Sequence, residues 1–319
     1  VKSSNNFITV VIGNGQVGKS LERVMPRNQT MILNRRSLDF SDERLFKIQL
    51  YEALDGKKVS CIINAAAYTD VARAEKDKAM ALKVNSTCVR MLAEFCRKAD
   101  IPLLHYSTDF VFDGNKDGLY DENDVPNPVN YYGESKLLGE KAIIETLEKY
   151  IILRVSWVYS VFDKNNFVAK VIKWAEENGK LSVVNDQFGG PSNAFDIAKC
   201  TYEVLHRIPT WKSKMHISKD DKTQVVNDIF GIYHLCPNSF TSRYEFAQKV
   251  IEYADLHGIS DKLHNIEITP IASDHKDVQR PLNSRLDATK IKNKLGIEMK
   301  DWIYSLDCAF KCLSGNPCK

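Results

Sequence analysis

The chain has 319 residues, 44% hydrophobic and 10% aromatic, enough for one large globular domain or two ordinary ones. Its 44 basic and 41 acidic residues leave a net charge of +3, too weak a field to argue for nucleic acid or a membrane surface as partner. No apolar run approaches the roughly 20 residues needed to span a bilayer, and the polar start at 1–6 leads into a strand-like run rather than a signal peptide, so a cytoplasmic location is expected. The eight cysteines form no C-x-x-C pair and sit mostly in apolar runs; reduced core thiols are expected, and no metal site.

Residues 7–12 (Phe7-Ile8-Thr9-Val10-Val11-Ile12) are a short apolar, β-branched run of the kind buried on both faces in a parallel sheet. Gly13-Asn14-Gly15-Gln16-Val17-Gly18 follows at once, then a helical pattern through Val24. That is G-x-G-x-x-G between strand and helix, the context that gives the motif its meaning. Glycines let the backbone approach a pyrophosphate, and the helix start supplies amide donors. A second strand at 30–33 ends in Asn34-Arg35-Arg36-Ser37 rather than in an acid. Two guanidiniums suit a 2′-phosphate, so NADPH is expected, with NADH as the alternative; Asp39, just beyond, is counted with the cofactor residues.

The third strand, 59–64, runs into Ala65-Ala66-Ala67-Tyr68-Thr69, small residues that let a cofactor lie against backbone. Residues 74–98 read as helix with a break near Asn85, and 101–106 as the fourth strand. Ser107-Thr108-Asp109 lies at its carboxyl end, where ligands bind in open α/β sheets. A loop at 113–130 precedes a helix expected to run to about Tyr150, and the next strand covers 151–155. Helices are further expected at 164–178, 196–207, 242–257 and 301–313, with Tyr233 and His234 as strand packing.

The helix after the loop carries Tyr132 and Lys136, four apart and therefore on one face. Such a pair arises about once by chance in a chain of this composition, so its meaning comes from its setting. A phenol beside an ammonium is expected to have a lowered pKa and to serve as proton donor to a forming alkoxide. Thr108 at the strand end would hold the carbonyl oxygen.

With these residues in place, the sequence resembles the extended short-chain dehydrogenase/reductases, and among them the dTDP-4-dehydrorhamnose reductase family. The matching stretches include the glycine turn, Asn64-Ala65-Ala66-Ala67-Tyr68-Thr69, Ser107-Thr108-Asp109-Phe110-Val111-Phe112-Asp113-Gly114, Tyr132-Gly133-x-Ser135-Lys136, and Leu153-Arg154-Val155-Ser156-Trp157-Val158-Tyr159. Asn166-Phe167-Val168, Asp186-Gln187-x-Gly189, Tyr244-Glu245-Phe246-Ala247 and Arg280-Pro281-x-x-Ser284 follow in the same order. The resemblance implies an α/β fold: a Rossmann-type doubly wound parallel sheet over 1–160, completed by parts of 181–235. A smaller, interleaved C-terminal α/β substrate domain would lie mainly in 161–319.

The implied activity is reduction of a 4-keto-6-deoxy sugar nucleotide by a nicotinamide cofactor. Thr108, Tyr132 and Lys136 are then catalytic. Gly13, Gly15, Gln16, Val17, Gly18, Arg35, Arg36, Asp39 and Ala65-Ala66-Ala67 hold the cofactor with Tyr132 and Lys136, and Ser107, Thr108, Trp157, Asn166 and Arg280 line the substrate. A homodimer is a further expectation. Departures from the family pattern are Ala72 in place of an acid, Ser160 in place of glycine, and a charged segment at 210–227 that reads as an inserted surface loop. Related chemistries are a 4,6-dehydratase, which needs a second acid where Phe110 follows Asp109, and an epimerase/reductase, for which no extra acid or base is evident. A non-catalytic role, as in a regulatory subunit of methionine adenosyltransferase, would be signalled by loss of the Thr108, Tyr132 and Lys136 set.

Overall fold

The computed structural model describes residues 7–209, 211, 228–274 and 277–316. Strands β1 (Ile8–Ile12), β2 (Thr30–Leu33), β3 (Val59–Asn64), β4 (Leu103–Thr108) and β5 (Tyr150–Val155) join the strand Gly231–His234 in one six-stranded sheet. Its order is Gly231–His234, β5, β4, β3, β1, β2, and every pairing is parallel.

Parallel strands covered on both faces need apolar residues at every position, not at every second one. That is the physical content of the continuous runs. Val11, Ile63, Leu104 and Leu153 enter one core with Leu21 and Ile197. Val10, Ile62, Leu103 and Ile152 enter the other with Phe46, Leu50 and Leu92. The first face is covered by α1 (Gln16–Val24) and, later in the chain, by α8, the helix Ala194–Arg207. The second is covered by α2 (Glu43–Leu54) and α5 (Cys88–Ala99). Because all strands run the same way, their carboxyl ends bring Gly13, Asn34, Ala65, Asp109 and Ser156 to one edge.

Between β3 and α5 lie α3 (Val71–Lys76) and α4 (Lys78–Leu82). The break expected near Asn85 is a π-helical turn over Lys83–Thr87, with Asn85 fully buried inside it. Helix α6 (Tyr131–Thr146) stops short of the expected end at Tyr150. Leu147 turns extended and packs into the core, and Tyr150 already pairs with Leu103 as the first residue of β5. Helix α2 was not foreseen. Its signals were a side-chain cap, Asp42 accepting from Leu45 N at 2.9 Å, and a buried stripe of Phe46, Leu50 and Leu54.

A third apolar cluster joins α7 (Phe167–Asn178) to the helices Arg243–Leu256 and Trp302–Leu313 and to the strand pair Lys180–Val184 with Glu267–Ile271. The expected insertion at 210–227 lies outside the described residues except for Trp211. That residue corrects the expected start of the loop: it is 2% exposed, belongs to the sheet core and donates its indole N–H to Thr9 Oγ1 at 2.8 Å. Cys61, Cys88, Cys96, Cys200 and Cys236 are buried, Cys308 is partly exposed and Cys312 is exposed. No helix among the described residues is long and apolar enough to cross a membrane.

Candidate active site

At the end of β1 the chain turns through Gly13, whose φ of 105° is reached without strain only by glycine. A Cβ there would lie 2.7 Å from Ala66 N, so the glycine turn and the Ala65-Ala66-Ala67 segment pack backbone to backbone. Gly15 is the N-cap of α1; it makes no side-chain cap and faces open space. Gln16 and Val17 form the first turn of α1, which contains no acid, and Gln16 Oε1 is buried with no partner among the described residues. Arg35 and Arg36 are exposed at the end of β2. Amide donors at an uncapped helix start, with two guanidiniums beyond, fit a dinucleotide carrying a 2′-phosphate. Asp39 lies at the same edge, but its carboxylate accepts from the amide and hydroxyl of Ser41 at 2.8 and 2.6 Å, which holds its pKa below the usual value.

The residues expected to be catalytic lie along a seam formed by β4 and α6. Asn130 caps α6 by accepting from Gly133 N at 2.9 Å. Two glycines let this helix approach closely: a Cβ on Gly133 would lie 2.1 Å from Phe110 O, and one on Gly139 would lie 2.1 Å from Asn85 O. Asn85 accepts from Tyr68 N at 2.8 Å and donates to Ser135 Oγ at 2.9 Å, tying the loop after β3 to α6. Tyr132 is thereby set near Thr108, whose hydroxyl acts to lower the pKa of the phenol. Thr108 Oγ1 also donates to Asp109 Oδ1 at 3.0 Å and accepts from Phe110 N at 3.2 Å. Ser107 Oγ is buried with no partner among the described residues.

The expected lowering of the Tyr132 pKa is not what the structure shows. Burial pushes the phenol up to about 12; the Thr108 hydroxyl opposes this and the Asp109 charge adds to it. The Phe110 ring meets Tyr132 edge-on at 5.8 Å between centroids. Lys136, 2% exposed, is turned elsewhere: its amine donates to Tyr106 O at 2.6 Å and lies 3.2 Å from His105 Nε2. Burial brings Lys136 down to about 8 against the opposing charge of Glu140. Glu140 is held by Arg154 through two hydrogen bonds of 3.0 and 2.7 Å, in a pair buried on both sides.

Among the residues expected to line the substrate, Trp157 adopts φ 45°, a left-handed conformation that a bulky residue takes only when its surroundings enforce it. Its indole is clamped between Gly189, where a Cβ would lie 2.4 Å from the ring, and the Arg243 guanidinium, 3.5 Å from the ring centroid. Burial lowers Arg243 to about 9, with Asp109 opposing and Arg280 adding to the shift. Burial raises Asp109, which accepts from Thr108 and from Ser156 Oγ at 3.2 Å. Arg280 follows Gln279, whose carbonyl accepts from the α6 cap Asn130 at 2.9 Å. Asn166, expected at the substrate, is anchored locally: Oδ1 accepts from Ala169 N to cap α7, and Nδ2 donates to Ser160 O and Asp163 O at 2.8 and 2.7 Å.

Sequence reasoning thus brought Thr108, Tyr132, Lys136, the glycine turn and Trp157 to one edge of the sheet. It did not single out His105, Asp109 and Arg243. Asp109 and His105 stood inside a quoted or strand-end stretch, so their position was legible; Arg243 carried no local signal at all.

A glycine-turn dinucleotide site beside a Thr108, Tyr132 and Lys136 set, all at the carboxyl edge of one parallel sheet, is the architecture of a nicotinamide-dependent oxidoreductase of the short-chain type. Residues 7–314 match the family described as RmlD substrate binding domain. The chain is 34% identical over 289 residues to dTDP-4-dehydrorhamnose reductase of Shigella flexneri, covering 90% of this chain and 91% of that protein. It is 34% identical over 295 residues to the enzyme of the same name from Aggregatibacter actinomycetemcomitans, covering 92% and 94%. The structure matches dTDP-4-dehydrorhamnose reductase from Bacillus anthracis in complex with NADP at a TM-score of 0.80 and 27% identity, covering 96% of this chain and 99% of that one. The protein belongs to the dTDP-4-dehydrorhamnose reductase family.

Proposed function

We propose that this protein uses NADPH to reduce the C4 keto group of a 4-keto-6-deoxy sugar nucleotide, as its relatives' names imply. The observation that carries the reading is the intact Thr108, Tyr132 and Lys136 set, packed beside a dinucleotide turn in a family of reductases. The cofactor, when bound, supplies the hydride. The α1 amides would hold its pyrophosphate, and Arg35 and Arg36 its 2′-phosphate.

Tyr132 donates its phenolic proton to the oxygen that becomes the alcohol. A phenol pushed up to about 12 is fully protonated at neutral pH, so the acid is always loaded. The alkoxide that forms is a stronger base than phenolate, so transfer remains downhill. Thr108 holds the same oxygen in line. Two guanidiniums, Arg243 and Arg280, act on one another beside Trp157, with Asp109 opposing at Arg243 and Asp70 at Arg280; such a pair suits a substrate carrying a diphosphate. Phe110, not an acid, follows Asp109 and packs on Tyr132, which favours simple reduction over dehydration.

The test is a panel of dTDP- and UDP-linked 4-keto-6-deoxy sugars with NADPH oxidation followed by absorbance. Turnover of at least one member, lost in Tyr132→Phe, is the expected result. Tight NADPH binding with no turnover on any member would replace the reductase reading with a binding role.

A further inference from the structure

Residues 158–166 cross from the sheet to α7, and they pass beside α1, the helix whose start fits a pyrophosphate. Val158 packs on the sheet core together with Val17 of α1, and Val161 packs on the third cluster, so the segment joins two cores. Within it, 160–166 is braced as one unit. Asn166 Nδ2 donates to Ser160 O and Asp163 O at 2.8 and 2.7 Å. Ser160 Oγ accepts from Phe162 N at 3.2 Å, and Asp163 Oδ1 accepts from Asn165 N at 3.0 Å. Ser160 stands where the family pattern has glycine, so the hydroxyl that makes one of these bonds is a feature of this chain.

Two side-chain contacts tie the braced segment to α1. Lys19 Nζ donates to Asp163 Oδ2 at 3.0 Å, and the Arg23 guanidinium lies over the Phe162 ring, 4.7 Å from its centroid. Lys19 and Arg23 are four apart and share one face of α1. Lys19 is also four residues beyond the cap Gly15, about 6 Å along the helix axis, so the fastening sits about one turn from the amides that face a pyrophosphate. Both contacts are half open to solvent: the Lys19 side chain is 52% exposed and Phe162 50%. Exposed pairs of this kind add little to stability and part easily, which is what a fastening that must open requires.

We propose that 160–166 is a strap across the cofactor site, latched to α1 by Lys19 with Asp163 and by Arg23 with Phe162, and that NADPH enters and leaves when the latch opens.

A gate and a simple charge effect are separable by sign. NADPH is an anion. Removing an acid near its site, with no gate, speeds binding and slows release. Removing a latch speeds both, because the same opening serves entry and exit. Asp163→Asn is the decisive variant. Its amide oxygen still accepts from Asn165 N, so the brace survives, while an NH2 that cannot accept takes the place of the oxygen facing Lys19.

The experiment measures NADPH association and dissociation rates by stopped-flow fluorescence in wild type, Asp163→Asn, Lys19→Met, the double variant and Phe162→Ala. Asp163→Asn is expected to raise both rates about two- to fivefold and to change Kd by less than about twofold. In the Lys19→Met background the same substitution is expected to change neither rate, since the latch is already gone. Phe162→Ala, which acts on the second contact and alters no charge, is expected to raise both rates as well. Slower release in Asp163→Asn would overturn the strap in favour of plain electrostatics. An unchanged release rate, or an equal rise in the Lys19→Met background, would overturn it too. The strap rests on the dinucleotide reading of α1 and on no sugar nucleotide. A protein that binds NADPH and reduces no sugar on the panel therefore still decides it, whereas a wild type that binds no NADPH would overturn the strap and the cofactor assignment together.

Discussion

The seam between β4 and α6 and the cage around Trp157 both stand at the carboxyl edge of the sheet but are built differently. The seam is made by backbone pressed on backbone, with Gly133 against Phe110 O and Gly139 against Asn85 O. The Lys136 amine and the Thr108 hydroxyl are tied to near neighbours, and Lys136 is almost wholly enclosed. The cage is drawn from three distant stretches, the Trp157 ring, the bare backbone of Gly189 and the half-buried Arg243, with the exposed Arg280 acting on Arg243 only through its charge. Proton transfer tolerates little misplacement, and packed backbone supplies that precision. Recognition of a flexible, charged ligand needs reach and charge, which long side chains on separate elements provide.

The contrast makes graded predictions. Tyr132→Phe removes the proton donor from the seam and should lower kcat by about 100- to 10,000-fold while NADPH titrates as before; retention of the wild-type rate would take the proton-donor role from Tyr132. Gly139→Ala drives a methyl into Asn85 O and should cost about 1–3 kcal/mol in thermal or urea denaturation, with a drop in kcat because α6 carries both Tyr132 and Lys136. If stability falls and kcat does not, the seam's geometry is less critical than its packing.

In the cage, Arg243→Leu should raise KM about tenfold, roughly 1.4 kcal/mol, and leave kcat within about threefold. An equal fall in kcat would mean that the cage also acts on the transition state. At the cofactor edge, Arg35→Ala with Arg36→Ala should reduce the preference for NADPH over NADH by about fivefold or more, read from the two KM values. The smallest effect belongs to Lys19→Ala, which removes an ion pair of 3.0 Å to Asp163 on a half-exposed lysine and should cost no more than about 0.5–1 kcal/mol.

Legibility in the sequence followed locality. The five N-terminal strands were readable because a parallel strand buried on both faces is a continuous apolar run. The glycine turn was readable because strand, turn and helix are contiguous. Helix α2 went unread although Asp42 and its buried stripe announced it. The end of α6 was misplaced because the pattern of 147–150 fits a helix locally, and only the docking of Leu147 and the pairing of Tyr150 with Leu103 break it. Trp211 was assigned to a surface loop because its surroundings in the chain are charged, whereas its partner is Thr9, at the far end of the sequence. Asn166 matched a family stretch, and only the structure shows that its amide also ties the turn at 160–163 to the cap of α7.

By itself the sequence determined the elements and their chemistry: apolar runs that must be buried on both faces, a turn that only glycines can make, a hydroxyl at a strand end, and a phenol and an amine one helical turn apart. The tertiary structure decided what those groups do. Lys136 was expected to face Tyr132 as a cation; instead its amine points to Tyr106 O and His105. Tyr132 was expected to be a stronger acid and is a weaker, fully loaded one. The reason is physical. Side-chain spacing along a helix is local, but the direction of an amine and the pKa of a phenol depend on burial and on partners brought in by other strands, and none of these is written within one turn of the chain.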